Sequence, residues 1–261
     1  MRWLKFSTAD GTAYGILEGE RVLEVKGDPF SGYEKTSRVH ALNDVKIEVP
    51  VEPRTFYCAG KNYVAHVIQS AKRRGVEPNI PQKPDIGYRA NNALIAHNEP
   101  VVLPPDAANI AYEGELVVVI GKKVKHVSES DALSCIMGYT IGNDISERDW
   151  QRSDRTFWRS KNTDTFKPMG PWIETDVNLE AMETAVRLNG GEQVRFKTNA
   201  MLFGVATYIS TMTRYLTLHP GDVIWMGTDG ASPVVKPGDV VEIDITGIGT
   251  LRNPFVLGAA V

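Results

Sequence analysis

The chain has 261 residues, 42% of them apolar, and its 29 basic and 32 acidic side chains leave a formal net charge of −3. That balance excludes a disordered chain, which combines low hydrophobicity with high net charge, and a dedicated nucleic-acid binder, which needs a basic excess to neutralise phosphates. No apolar run reaches the roughly 20 residues of a membrane span, and the N-terminus turns polar by Ser7, too soon for a secretory signal.

The two cysteines, Cys58 and Cys135, lie far apart and make no metal or redox spacing, so both read as buried thiols of a cytoplasmic protein. Residues 1–52 read as a small N-terminal β domain. Trp3 to Ser7 alternates in the manner of a strand, Asp10-Gly11 and Glu18-Gly19 are turn signals, and Arg21 to Val25 is a further short strand. Pro50-Val51-Glu52-Pro53 marks the boundary with a second domain over 53–261. There Thr55 to Ala59 predicts a strand ending at Gly60, and Tyr63 to Arg74 a helix with Tyr63, Val67, Ser70 and Ala71 on one face. The proline-rich stretch over 75–105 predicts a long ordered loop with one short strand near Ala93 to Ala96.

Tyr112 to Gly121 predicts a strand whose far end, Leu116 to Ile120, is apolar on both faces and so deeply buried. Ser128, with Asp131 three residues on, predicts the start of a short helix reaching Cys135. Gly138 to Asn143 is another strand, leading into Asp144. Pro220-Gly221-Asp222 and Pro237-Gly238-Asp239 are two copies of one turn chemistry, each feeding an apolar strand. The pattern predicts a mainly β protein with peripheral helices.

Glu113 and Glu115 stand two apart on their strand, so both carboxylates leave one face. Like charges that close repel unless a cation neutralises them. Asp144, also at the end of an apolar strand, supplies a third carboxylate, and an all-oxygen set suits Mg2+, Mn2+ or Ca2+ rather than zinc or copper. A solvated strand edge is the plainer alternative. Arg148 and Gln151 follow Asp144 at i+4 and i+7; on a helix the three would share a face, where Arg148 either meets an anionic substrate or simply pairs with a carboxylate.

These segments together resemble the fumarylacetoacetate hydrolase family. Gly60-Lys61-Asn62-Tyr63 with His66, Tyr112-Glu113-Gly114-Glu115-Leu116, Gly138-Tyr139-Thr140 with Asn143-Asp144, Lys161-Asn162-Thr163-Asp164-Thr165-Phe166 with Pro168 and Gly170-Pro171, and His219-Pro220-Gly221-Asp222 with Gly227-Thr228 fall in the family's order. The resemblance implies a mixed β-sandwich roll, a homodimer, and a divalent metal on Glu113, Glu115 and Asp144, commonly Mg2+ with Mn2+ or Ca2+ as substitutes. It also implies a small 2-oxo or 2,4-dioxo acid as substrate. C–C hydrolysis through a metal-stabilised enolate comes first; isomerisation or decarboxylation of hydroxymuconate-type diacids is the alternative, and a binding paralogue without turnover a third reading.

On the same resemblance Lys161 stands beside the enolate, Gly227 and Thr228 donate to the substrate carboxylate, and His66 is the general base. The other histidines read as structural, with His97 exposed in its turn. The chain departs from the family's pattern at four points. Gln69 stands where many members carry a glutamate paired with the histidine, Gly87 and Arg89 replace an aromatic and a lysine, and Asp229 replaces a proline. Arg89 offers a forked donor to substrate where an ammonium is usual.

Overall fold

A computed structural model describes residues 1–230 and 233–259. Strands dominate it, and the described residues include three α-helices: α1 (Val64–Arg74), α2 (Arg148–Ser153) and α3 (Val205–Thr213). No described helix is long and apolar enough to cross a membrane.

The Gly114–Ile120 strand lies inside the largest sheet, between Ile136–Asn143 and Val223–Trp225, both antiparallel to it. Its alternate residues serve two cores. Leu116, Val118 and Ile120 pack with Val186, Ile243, Ile245 and Leu251, which belong to the second, five-stranded sheet. Val117 and Val119 pack on the opposite face with Trp225, Phe56 and Ile173. From Leu116 to Ile120 every side chain is at most 1% exposed, and each such burial contributes on the order of 2 kcal/mol. The apolar run is therefore buried on both faces, as its composition predicts. Gly142 is required there, because a Cβ at that position would lie 2.6 Å from the Trp225 ring.

The N-terminal residues form an antiparallel meander of Arg2–Thr8, Gly11–Glu18, Arg21–Asp28 and Gly32–Ala41. Arg2 and Trp3 also pair with Glu174 and Ile173, so the meander extends the large sheet across the proline-marked boundary. Glu174 reinforces that seam by accepting from the N-terminal ammonium at 2.7 Å and from Arg2 at 3.1 Å.

Three local expectations change. The 75–105 stretch contains strands at Ile86–Tyr88, Leu94–Ile95 and Val101–Leu103. The last pairs with Phe255 to Leu257 from the far end of the chain, a partner no local pattern discloses. After Ser128, the cap bond to the Asp131 N–H forms at 3.2 Å, but only Ala132–Cys135 turns, as a 3-10 helix. Asp144 lies outside α2, which begins only at Arg148: Ser146–Glu147 first pairs with Ile110–Ala111, and the Glu147 carboxylate caps the helix on Trp150 N–H. The two Pro-Gly-Asp turns do form. Asp222 and Asp239 each accept from the backbone N–H three residues earlier, at 2.8 and 2.9 Å.

Candidate active site and metal centre

Sheet register assembles the carboxylates. Gly114 pairs with Asn143, which sets Asp144 beside Glu113. The Asp144 N–H then donates to the Glu113 carbonyl at 2.9 Å, and the Glu113 N–H to Asn143 Oδ1 at 3.1 Å. Glu113 lies just before the strand rather than on it, yet its carboxylate still converges with that of Glu115. One oxygen each of Glu113, Glu115 and Asp144 lies within 4.8 Å of the others, and all three side chains are buried. That geometry and donor chemistry fit a hard divalent cation.

Four cations surround the triad. Arg148 Nη2 donates to Glu113 Oε1 at 2.5 Å. Lys161 Nζ bridges Glu113 Oε2 at 3.2 Å and Asp144 Oδ2 at 2.7 Å. Arg89 Nη2 reaches Asp144 Oδ2 at 2.9 Å, and Lys167 Nζ lies 2.8 Å from Asp144 Oδ1. Burial alone would raise both acids, but Arg148 and Lys161 hold Glu113 below the usual carboxylate range, and Arg89, Lys161 and Lys167 do the same for Asp144. Glu115 has no such ion pair among the described residues. Burial and the neighbouring charges of Asp144 and Glu113 push it up to about 8, against the lowering bond from the Gly227 N–H. Burial also pulls Lys167 down to about 8, although Asp144 favours its charged form.

The remaining expected residues fall around this centre. Gln151 Oε1 accepts from Arg148 Nη1 at 2.8 Å and braces it. The Gly227 N–H, expected to face substrate, is instead donated to Glu115 Oε2 at 2.8 Å. Thr228 is buried and lines a small cleft with Glu113, Arg148, Asp229 and Gly230. Arg89, expected as a substrate donor, is committed to Asp144, because an arginine fork matches a carboxylate. His66 projects from α1 with Nδ1 3.0 Å from the Gly230 carbonyl oxygen. Gln69 is exposed on the same helix, and its Oε1 accepts from Arg73 at 3.3 Å rather than from His66. His97 is half-buried rather than exposed, its Nδ1 accepting from the Arg252 N–H at 3.2 Å.

Sequence reasoning missed two supports. Lys167 is fully buried, and only its place inside the apolar Lys167–Glu174 strand could have marked it. Asn62, quoted within a motif but given no role, ties the entrance of α1 to two distant segments. Its Nδ2 donates to the Phe203 and Met226 carbonyls at 3.1 and 2.9 Å, and its Oδ1 accepts from the Phe203 N–H at 3.0 Å.

Residues 55–256 match the family model described as fumarylacetoacetate (FAA) hydrolase C-terminal. The chain belongs to that family. Residues 1–50 match a second model, Rv2993c-like, N-terminal. The chain is similar to the crystal structure of 2-hydroxyhepta-2,4-diene-1,7-dioate isomerase from Mycobacterium marinum, with a TM-score of 0.89 and 36% identity over 100% of both chains. It is 33% identical to the oxaloacetate tautomerase YisK of Bacillus subtilis, over 84% of this chain and 76% of that one. It is 37% identical to the 2,4-didehydro-3-deoxy-L-rhamnonate hydrolase of a Sphingomonas species, over 74% of this chain and 70% of that one. Relatives in this family are thus isomerases, tautomerases and hydrolases of oxo acids.

Proposed function

We propose that this chain is a divalent-metal-dependent enzyme that shifts a proton at the carbon beside the carbonyl of a 2-oxo diacid, a tautomerase or isomerase rather than the C–C hydrolase placed first on sequence grounds. The observation that carries this reading is the setting of His66. Its Nδ1 faces a backbone carbonyl, and Gln69 is bonded elsewhere. A histidine that activates water gains from a carboxylate that stabilises its imidazolium. No such hydrogen bond is made here among the described residues. A neutral imidazole with Nδ1–H on a carbonyl keeps Nε2 as an acceptor, which suffices to carry a proton between the enol oxygen and carbon in a tautomerisation, or between two carbons in an isomerisation.

A divalent cation held by Glu113, Glu115 and Asp144, Mg2+ or Mn2+, would supply Lewis acidity to the substrate carbonyl when bound. Lys161, already among these acids, adds positive charge where negative charge develops on that oxygen. Four side-chain cations against three carboxylates, with a divalent ion added, leave the site net positive and favour an anionic substrate such as a 2-oxo diacid. The likeness to an oxaloacetate tautomerase and to a dioate isomerase supports the same substrate class.

The test is a parallel assay with Mg2+ of enol–keto conversion of 2-oxo diacids and of hydrolysis of 2,4-dioxo acids. Faster conversion of the diacids is expected. Efficient hydrolysis with slow tautomerisation would return the reaction to the hydrolase class.

A further inference from the structure

Each carboxylate of the triad has two oxygens, and one oxygen of each is tied to a fixed donor. Arg148 Nη2 holds Glu113 Oε1 at 2.5 Å, the Gly227 N–H holds Glu115 Oε2 at 2.8 Å, and Lys167 Nζ holds Asp144 Oδ1 at 2.8 Å. These donors have little freedom. Gly227 is main chain, in a left-handed conformation at φ 86°. Lys167 is fully buried, and its other two N–H bonds go to the carbonyls of Ile145 and Phe166, both at 2.9 Å. An ammonium has three donors, so all three are used. Arg148 is braced by Gln151.

The second oxygens of Glu113 and Asp144 have a different character. Both accept from the one ammonium of Lys161, and Asp144 Oδ2 also from Arg89 at 2.9 Å. The point between them therefore already attracts positive charge, and a metal ion must compete with Lys161 for it.

We propose that the three fixed donors restrict Glu113, Glu115 and Asp144 to one ligating oxygen each, and so set the site's preference toward Mg2+ and Mn2+ and against Ca2+, with Arg148 and Lys167 the specificity-determining side chains. Ca2+ takes six to eight oxygens and commonly grips a carboxylate by both, whereas Mg2+ requires six in a near-ideal octahedron. Single oxygens from three carboxylates, completed by water and a 2-oxo acid, suit the octahedron. To grip a carboxylate by both oxygens, Ca2+ must compete with a charge-assisted bond from Arg148 or Lys167, or with the Gly227 bond, for the second one.

This inference rests on the metal-dependent reading above, and the experiment separates the two. Mn2+ binding to the full chain is followed by the electron paramagnetic resonance signal of free Mn2+, with Mg2+ and Ca2+ as competitors, in wild type, Lys167→Met and Arg148→Met. Removal of either cation should raise Ca2+ affinity relative to Mn2+ by about tenfold, the usual scale for partners behind a ligand. Lys167→Met takes the ammonium away from the buried Ile145 carbonyl, while the Phe166 carbonyl still accepts from the Ile145 N–H at 3.2 Å. If that variant does not fold, Arg148→Met decides, because the Arg148 side chain is 23% exposed and its loss leaves the core closed. An unchanged Ca2+/Mn2+ ratio in a folded variant overturns the selectivity proposal and leaves the metal site standing. Failure of wild type to bind Mn2+ overturns both.

Discussion

On the carboxylate side of the site, Glu113, Glu115 and Asp144 sit in or beside paired strands, and donors from Arg89, Arg148, Lys161, Lys167 and Gly227 orient their oxygens. On the helix side, His66 rides on α1, which buries only Val67 and Ala71 while Val64 and Ile68 stay 42% and 48% exposed. His66 itself is tied by one bond to a carbonyl. Elements with few buried contacts open at lower free energy than core strands. The carboxylates inherit their geometry from sheet register, whereas His66, the proposed proton-transfer group, can be re-aimed by changes on one lightly held helix.

The largest effect should come from breaking the rigid side. Glu115→Ala should abolish Mn2+ binding and the Mn2+-dependent rise in melting temperature, because only native protein binds the ion. Activity should fall by at least about 100-fold, since a Lewis acid contributes several kcal/mol to the transition state. Full activity in a thoroughly chelated sample would remove the metal from the mechanism. On the helix side, His66→Asn keeps a donor near the Nδ1 position and removes Nε2. A fall in kcat of about 100-fold is expected if Nε2 moves the proton. Near-normal turnover of that variant would reduce His66 to a latch that holds α1 against Gly230.

A second histidine sharpens the comparison through pH. His66 Nδ1 faces a carbonyl, which accepts from a protonated ring, whereas His97 Nδ1 faces the Arg252 N–H, which a protonated ring cannot accept. Burial, and then the Arg252 charge, lower the His97 pKa to about 4. Between the unfolded value near 6.5 and about 4, the unfolded chain binds a proton that the folded chain refuses. His97 should therefore leave stability intact above about pH 6.5 and reduce it progressively toward pH 4, by at most ~3 kcal/mol. Urea unfolding of wild type and His97→Asn across that range should converge at low pH if this is so; parallel curves would show that His97 does not titrate in the fold.

The smallest effect is expected at Gln69. A glutamate there would meet Arg73 one turn on, a pairing worth a few tenths of a kcal/mol, so Gln69→Glu should change kcat by no more than about threefold. A larger gain in hydrolysis, with the acidic limb of the pH–rate profile displaced upward, would show that α1 reorients during turnover and brings residue 69 to His66.

The mainly β fold, the doubly buried strand at Leu116 to Ile120, the buried α1 face of Val67 and Ala71 with Ser70 half-buried and Tyr63 just ahead of the helix, and both Pro-Gly-Asp turns were legible in the chain. So was the convergence of Glu113, Glu115 and Asp144. Alternation, helical spacing and turn chemistry act between near neighbours, and a linear pattern records them. The donors that orient the site obey no such spacing. His66 meets a carbonyl 164 positions away, Gly227 bonds an acid 112 positions away, and Arg89 reaches across 55 to Asp144. Lys167 reads as an ordinary charge until its strand is buried in the sheet, where desolvation makes an ion partner necessary. Chain order determined which chemical groups are present and which strands carry them. Sheet closure alone decided which donor each carboxylate oxygen meets.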